Sequence, residues 1–367
     1  INNPDNYNVV RYSIEYRLSL QHADGTKEHF SQNNIKAWHK DILQDTDFDA
    51  LYNSEEEARA DAENYKNYIK KDTDEVIGET ITVTLQPQIS FVLMDQSTGE
   101  VKAISGGRGA KTANLTLNRA TNVPRQPGST FKVVSSFAPA LDTCGATLGT
   151  VYYDAPYTVG TKTFRNWYSG GYQGYSSIRD GIIYSMNIVA VRCMMETVTP
   201  QLGVEYAKNF GISTLTSSDY NAATALGGLT EGVTNLELTA AFATIAKQGV
   251  YTEPIFFTKI LDRNGKVLIS NEPETRRVLK DSTAFLLTDA LKDSMIGNRK
   301  FARPGAGPGS TSTRAKLDSM SCAGKSGTTT GNNDIWFVGF TPYYTAGIWS
   351  GYDLNQKLSS NTEGTSY

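Results

Sequence analysis

The sequence predicts an α+β fold: a five-stranded antiparallel sheet flanked by helices, behind a small N-terminal α/β module. Three observations predict it. Strand-like runs gather near residue 90 and again from Lys325 to Tyr352, the stretch between them is helical in pattern, and residues 1–85 are charged and mixed in character. At 367 residues, 39% of them hydrophobic, the chain can bury a large core and divides into one large domain and a smaller one.

In the N-terminal module, Val9 to Leu20 alternates as a strand does, Asp24-Gly25 supplies a hairpin turn, and a second strand follows. Ser54 with Glu57 forms a capping box that opens a helix through Tyr68. No constellation in residues 1–85 carries chemistry, so the module reads as a linker that positions the larger domain or as a plain spacer. Ile81 to Met94 and Glu100 to Ser105 then read as strands around a turn at Gln96 to Gly99.

The helical middle opens with a turn at Gly128 and the apolar run Phe131, Val133, Val134, Phe137, Ala138, Leu141, which Pro139 kinks or ends about two turns beyond Lys132. A second helix starts near Ile188, with Ile188, Val191 and Met195 as its apolar stripe, and a third covers about 281–294. Residues 297–313 form a loop dense in Gly, Pro, Ser and Thr. A strand around Lys325, a turn at Thr330 to Asn333, and the runs Ile335 to Thr341 and Thr345 to Tyr352 make an antiparallel meander, and residues from 353 on read as a frayed tail.

Ser129 and Lys132 carry the chemistry. Three apart on a helix, their side chains share a face. A serine at its ordinary pKa needs a base, and lysine serves when burial or another cation depresses its pKa. The same pair can equally be a cap serine followed by a solvated lysine. Further on stand Tyr184-Ser185-Met186-Asn187 and Gly324-Lys325-Ser326-Gly327-Thr328-Thr329. Alone, the first also reads as a cap on the Ile188 helix, and the second as a glycine turn into an edge strand.

The three histidines, His22, His29 and His39, all lie in the N-terminal module, so lysine is the natural base for Ser129. A zinc hydrolase is disfavoured, since carboxylates and the isolated Cys144, Cys193 and Cys322 would have to bind the ion. Those cysteines are odd in number, lack C-x-x-C spacing and read as apolar side chains; nothing marks Cys322, near Lys325, as reactive. No motif asks for a cofactor or a metal. A net charge of −3 points neither to nucleic acid nor to an electrostatically held membrane surface. The 32 glycines and 20 tyrosines suit a loop-rich protein with an aromatic-lined groove. No apolar run reaches the ~18 residues of a membrane span, and no signal segment is visible.

In the order Ser129-x-x-Lys132, Ser185-x-Asn187, Lys325-Ser326-Gly327, the chain resembles the penicillin-recognising serine acyltransferases. Asn118-Arg119-Ala120-Thr121 leading into Arg125 to Lys132, Ala225 to Thr234, and Asp334 to Pro342 narrow the resemblance to class A penicillin-binding proteins, over residues 86–355. Two departures stand out: Met186, where class A β-lactamases carry aspartate, and Ser326, where many members have threonine.

The resemblance implies a penicillin-binding/β-lactamase-like transpeptidase fold, with the Ser129 helix facing the Lys325 strand. It divides the chain into a linker module (1–85), a transpeptidase domain (86–360) and a tail (361–367). It implies a peptidoglycan D,D-transpeptidase with D-Ala-D-Ala stem peptides as donor and a stem-peptide amine as acceptor. Ser129 would be the nucleophile, Lys132 the base, Ser185 a proton relay, Asn187 a holder of Lys132 and substrate, and Lys325 a second cation. The oxyanion would lie between the N–H groups of Ser129 and Thr328. Ser326 and Thr328 would bind the substrate carboxylate, with Gly327 and Thr329 beside them. Asn166, Trp167 and Tyr184 would wall the groove, or simply pack. β-Lactam antibiotics should acylate Ser129.

Class A relatives also carry a membrane anchor and a glycosyltransferase domain, whose Glu-Asp-x-x-Phe-x-x-His-x-Gly motif is absent here. The expectation is a soluble piece of a membrane-anchored, outward-facing protein. A β-lactamase reading is weakened because no Glu-x-x-Leu-Asn element lies between Asn187 and Lys325. A D,D-carboxypeptidase differs only in its acceptor, and a penicillin-sensing receptor domain is the non-enzyme alternative.

Overall fold

The computed structural model describes residues 10–109, 111, 114–169, 171–297 and 309–358. The tail at 361–367 and most of the 297–313 loop lie outside the described residues. The fraying expected from 353 on does not hold at its start, where Asp353 pairs with Arg119 and Leu358 is buried with its N–H on the Asn332 carbonyl. Two compact units divide the chain: the described residues up to Gln88 with Arg108 and Gly109, and those from Ile89 to Gly107 and from Lys111 on.

In the first unit, β1 (Arg11–Gln21) pairs antiparallel with β2 (Lys27–Ser31) across the expected turn, where Gly25 takes φ +83. A helix that the sequence pattern does not announce follows, α1 (Gln32–Asp41), opened by a Ser31–Asn34 capping box. In α2 (Glu55–Ile69) Ser54 accepts from the Glu57 N–H as expected, but the Glu57 carboxylate bonds the Asn53 N–H at 2.7 Å, so the reciprocal arm of the box is displaced by one residue. β3 (Glu75–Gln86) completes a sheet in the order β2-β1-β3. Alternation on β1 sends Ile14, Tyr16, Leu18 and Leu20 into a core with Ile35, Ala58, Ala62 and Tyr65.

The single strand expected over Ile81 to Met94 is two strands in two sheets. β3 ends at Gln86, and β4 (Gln88–Asp95) begins after Pro87, which has no N–H to offer a ladder. β4 and β5 (Val101–Ser105) pair antiparallel.

The Ser129 segment is helical without a break but of changing pitch: a 3-10 turn at Gly128–Thr130, a wide π segment at Val133–Phe137, then α3 (Ala138–Asp142). The expected end of the helix at Pro139, about two turns beyond Lys132, does not occur. Pro139 lies in the first turn of α3, and the helix runs on to Asp142. The π segment widens the backbone just before it, with the Ala138 N–H reaching back to the Val133 carbonyl, so the missing proline N–H is absorbed.

Two small ribbons follow, β6 (Val151–Asp154) with β9 (Gly174–Ser177), and β7 (Tyr157–Val159) with β8 (Lys162–Phe164). α4 (Ile178–Ile183), α5 (Asn187–Arg192), α6 (Pro200–Asn209) and α7 (Asn235–Ala246) form the helical body. The ribbons β10 (Val250–Thr252) with β13 (Thr275–Arg277), and β11 (Lys259–Leu261) with β12 (Val267–Ser270), precede α8 (Asp281–Ile296). β14 (Ala323–Thr328), β15 (Asp334–Phe340) and β16 (Tyr344–Gly351) make the expected meander. The large sheet is ordered β14-β15-β16-β4-β5, which leaves β14 at an edge. Its core joins Trp336, Val338 and Trp349 of the sheet to Phe131, Phe137, Ile182, Val189, Phe242 and Leu291 of the helices.

A lysine pair joined through Ser185

Glycine packing brings the site together. Gly128 has φ +53, and a Cβ there would lie 2.8 Å from the Thr328 carbonyl oxygen. One on Gly227 (φ +74) would lie 2.4 Å from the Gly128 carbonyl oxygen, and one on Gly327 would lie 2.5 Å from that of Pro127. The start of the Ser129 helix is thus sandwiched, backbone on backbone, between the 227 turn and β14.

Hydrogen bonds fix the approach to Ser129. Arg125 and Val233 exchange both backbone bonds, at 2.9 and 2.8 Å, and Gln126 closes a two-way bond with the Leu229 backbone. The Trp336 indole N–H donates to the Gln126 carbonyl at 2.8 Å. Arg119 forks onto Asp353 with two bonds of 2.6 Å, and the Arg125 guanidinium lies over the Trp349 ring. The Asn118 to Thr121, Ala225 to Thr234 and Asp334 to Pro342 stretches therefore frame this segment.

Ser185 sits between α4 and α5 with φ +52, a left-handed conformation unusual for a residue with a Cβ. Its neighbours hold it there. Met186 is buried in the core, Gly181 lets α5 approach α4, and Arg179 ties α4 to Asp289 and Asp293 of α8.

Lys132 and Lys325 are both fully buried. The Lys132 amine meets the Ser185 carbonyl oxygen at 2.6 Å, Asn187 Oδ1 at 2.7 Å and Ser185 Oγ at 3.3 Å. The Lys325 amine meets the same Ser185 Oγ at 2.9 Å and the Ser326 carbonyl at 3.1 Å. Burial, and then the charge of Lys325, pushes Lys132 well below the ordinary lysine range; burial brings Lys325 down to about 7. Three acceptors surround the Lys132 amine, the Ser185 carbonyl, the Ser185 hydroxyl oxygen and the Asn187 amide oxygen, enough for every N–H it carries. That hydroxyl in turn accepts from Lys325.

The Thr329 N–H bonds the Asp334 carbonyl at 3.1 Å, toward β15. Successive strand N–H groups alternate between edges, so the Thr328 N–H points off the free edge of β14. The same edge presents the Gly324 carbonyl, which accepts from Ser294 at 2.8 Å. Ser129 is half-buried beside it. Among the described residues no hydrogen bond joins Ser129 to Lys132; Lys132 turns its bonds to Ser185 and Asn187.

Other anticipated residues are placed differently. Ser185 and Asn187 do not cap α5: the Asn187 and Ile188 N–H groups bond Asn166 Oδ1 at 2.9 and 3.2 Å. Asn166, expected along the groove wall, has its carbonyl committed to the helix instead. The Trp167 indole donates to the Tyr184 carbonyl at 3.2 Å, leaving the ring 52% exposed beside the Ser185 turn, and Tyr184 itself is half-buried. The Thr329 hydroxyl accepts from the Asp334 N–H at 2.9 Å, closing the turn rather than facing a ligand. Gly327 serves close packing. Ser326 Oγ donates to Thr311 Oγ1 at 2.7 Å, a partner that the composition of the 297–313 loop gives no means to single out. All three histidines lie in the N-terminal unit, where His22 bonds Asp74, His29 bonds Ser19 and His39 bonds Asp61. No cluster able to hold a metal occurs among the described residues.

Residues 89–365 match the penicillin binding protein transpeptidase domain. The chain belongs to this family. It is 34% identical over 287 residues to penicillin-binding protein 1A of Clostridium acetobutylicum, covering 75% of this chain and 34% of that protein. Against penicillin-binding protein 1F of Bacillus subtilis it is 35% identical over 278 residues, covering 76% and 37%. The chain thus spans about a third of the length of these curated relatives. Among solved structures it is similar to PonA1 of Mycobacterium tuberculosis (TM-score 0.65, 24% identity, 76% of this chain and 73% of that one). It is also similar to penicillin-binding protein 1A of Haemophilus influenzae (TM-score 0.67, 22% identity, 96% and 55%). These likenesses show the penicillin-binding transpeptidase fold. No described helix is long and apolar enough to cross a membrane.

Proposed function

We propose that the chain is a serine-type peptidoglycan D,D-transpeptidase unit that works through an ester on Ser129. The observation that carries this reading is the pair of buried lysines sharing the Ser185 hydroxyl, one of them, Lys132, a helical turn from Ser129. Ser129 Oγ attacks the penultimate carbonyl of a D-Ala-D-Ala stem peptide while its proton passes to neutral Lys132. The tetrahedral oxyanion is held by the N–H groups of Ser129 and Thr328, a lost donor of this kind costing about 3 kcal/mol. Ser185 and Lys325 relay a proton to the leaving D-alanine nitrogen, and the C–N bond breaks to leave the ester. The proton relayed to the leaving nitrogen is the one Lys132 took from Ser129, so Lys132 is neutral again. A stem-peptide amine then attacks the ester and loses its proton to Lys132, which passes it to Ser129 Oγ as the ester C–O bond breaks and the cross-link forms. The Thr328 hydroxyl, and that of Ser326 once it turns from Thr311, take the donor carboxylate, with Asn187 beside the donor amide.

β-Lactams acylate Ser129 on this reading, since they too present an amide carbonyl and a carboxylate. A second solved PonA1 structure is a complex of that protein with penicillin V. Residues 1–85 act as a linker module, 86–360 as the transpeptidase domain and 361–367 as a tail. In the whole protein, a glycosyltransferase domain and a membrane anchor place the site outside the cytoplasm. Ser129→Ala decides the nucleophile: covalent labelling by a fluorescent penicillin should vanish, and labelling that persists would overturn the assignment.

A further inference from the structure

Asn187 holds the amine of Lys132, one helical turn from Ser129, and Asn187 is itself held from behind. Its amide has two ends. Oδ1 accepts from Lys132 at 2.7 Å, while Nδ2 donates to the Arg165 carbonyl at 2.9 Å. A carbonyl can only accept, so Arg165 forces the NH2 end toward itself and the oxygen toward Lys132. The next residue, Asn166, fixes the backbone of Asn187 and its neighbour through the Asn187 and Ile188 N–H groups. Asn166 Nδ2 in turn donates to Asp154 Oδ1 at 2.7 Å. Asp154 is buried, and its second oxygen accepts from the Gln173 N–H at 2.8 Å and the Tyr168 hydroxyl at 3.4 Å.

We propose that Asp154 and Asn166 are positioning residues for acyl transfer, setting the orientation of the Lys132 amine through Asn187. The inference rests on the proposed serine chemistry but concerns residues that touch neither substrate nor Ser129. The carboxylate ties down the Asn166 amide, whose oxygen pins the first turn of α5. That turn, with the Arg165 carbonyl, leaves the Asn187 amide a single orientation. Reversed, the amide would present an NH2 to the lysine amine in place of an acceptor.

The test is a swap. Asn166→Asp alone sets two carboxylates against each other. Asp154→Asn with Asn166→Asp restores every bond with the roles exchanged: Asn at 154 donates to Asp at 166 and still accepts from Gln173. Acylation by a fluorescent penicillin is followed by stopped flow, separating the reversible dissociation constant from the acylation rate constant. Asn166→Asp is expected to slow acylation at least tenfold with reversible binding within twofold, and the swapped pair to recover to within about threefold of the parent. A packing role alone would lower the melting temperature without this split. An Asn166→Asp protein that acylates at the parent rate, or a swapped pair no faster than Asn166→Asp, overturns the proposal. Should Asn166→Asp fail to fold, the swapped pair decides alone: acylation within threefold of the parent supports the proposal, and a folded but tenfold slower pair refutes it. If Ser129→Ala keeps its label, the serine reading falls; if it loses the label while these variants behave as the parent, only this inference does.

Discussion

Replacing Ser185 by alanine removes the one atom both lysine amines touch and leaves nearly everything else. The Ser185 carbonyl that Lys132 meets at 2.6 Å and the Asn187 contact at 2.7 Å both persist. What is lost is the bridge, at 3.3 Å to Lys132 and 2.9 Å to Lys325. Positioned proton transfer contributes ~10²–10⁴ in rate, or about 2.7–5.5 kcal/mol of barrier, so acylation should slow by that range. Reversible binding should hold within about twofold, because the β14 edge is untouched. Ser185→Gly separates chemistry from strain. It deletes the same hydroxyl but relaxes the φ of +52. A left-handed residue with a Cβ costs about 1–2 kcal/mol, against ~0.4–1 kcal/mol of extra unfolded-state freedom for glycine. The glycine variant should therefore be about 0.5–1 kcal/mol more stable than the alanine variant while equally slow. Stopped-flow acylation and urea unfolding read the two quantities. An alanine variant within threefold of the parent rate would refute the relay, and a glycine variant less stable than the alanine one would refute the strain.

Lys325→Met bears on pH. With its folded pKa near 7 and an ordinary value unfolded, Lys325 makes the unfolded chain hold more protons from there up to the usual lysine range, so stability rises with pH. The methionine variant should lose that slope, worth on the order of a few kcal/mol, in urea unfolding at pH 7 and pH 9. It should also move the acid limb of acylation to higher pH, since a neutral neighbour no longer helps burial depress Lys132. Gly128→Ala combines a positive φ with a Cβ 2.8 Å from the Thr328 oxygen, so about 2–4 kcal/mol of stability should be lost together with penicillin labelling. Asp353→Ala strands the buried Arg119 and should cost about 2–3 kcal/mol by urea midpoint, with the acylation rate of the folded fraction within about fivefold of the parent.

The sequence carried the sheet, the Ser129 helix and the three short motifs, because strand alternation and helical stripes are local signals. Where it misled, the deciding partner was remote. Ile81 to Met94 has one continuous β pattern, and only Pro87 hints that its halves belong to different sheets. α1 is polar on most of its surface, with Ile35 its sole buried residue, so no stripe announced it. The cap of α5 comes from Asn166, 21 residues upstream, while nearer serine and asparagine side chains looked equally suited. Pro139 signalled a break, but a π turn absorbed it. For the site itself, spacing gave Ser129 with Lys132, yet the link between Lys132 and Lys325 through a left-handed Ser185 depended on the fold.

The glycines at 128, 227 and 327 each press most closely against a main-chain carbonyl oxygen. A crowded side chain can be relieved by trimming the residue it strikes, but a carbonyl oxygen cannot be made smaller. Trimming a neighbouring side chain therefore does not make room for a Cβ at these positions. Substitutions that the fold tolerates near Ser185 are expected at side chains such as the exposed Trp167 rather than at these glycines.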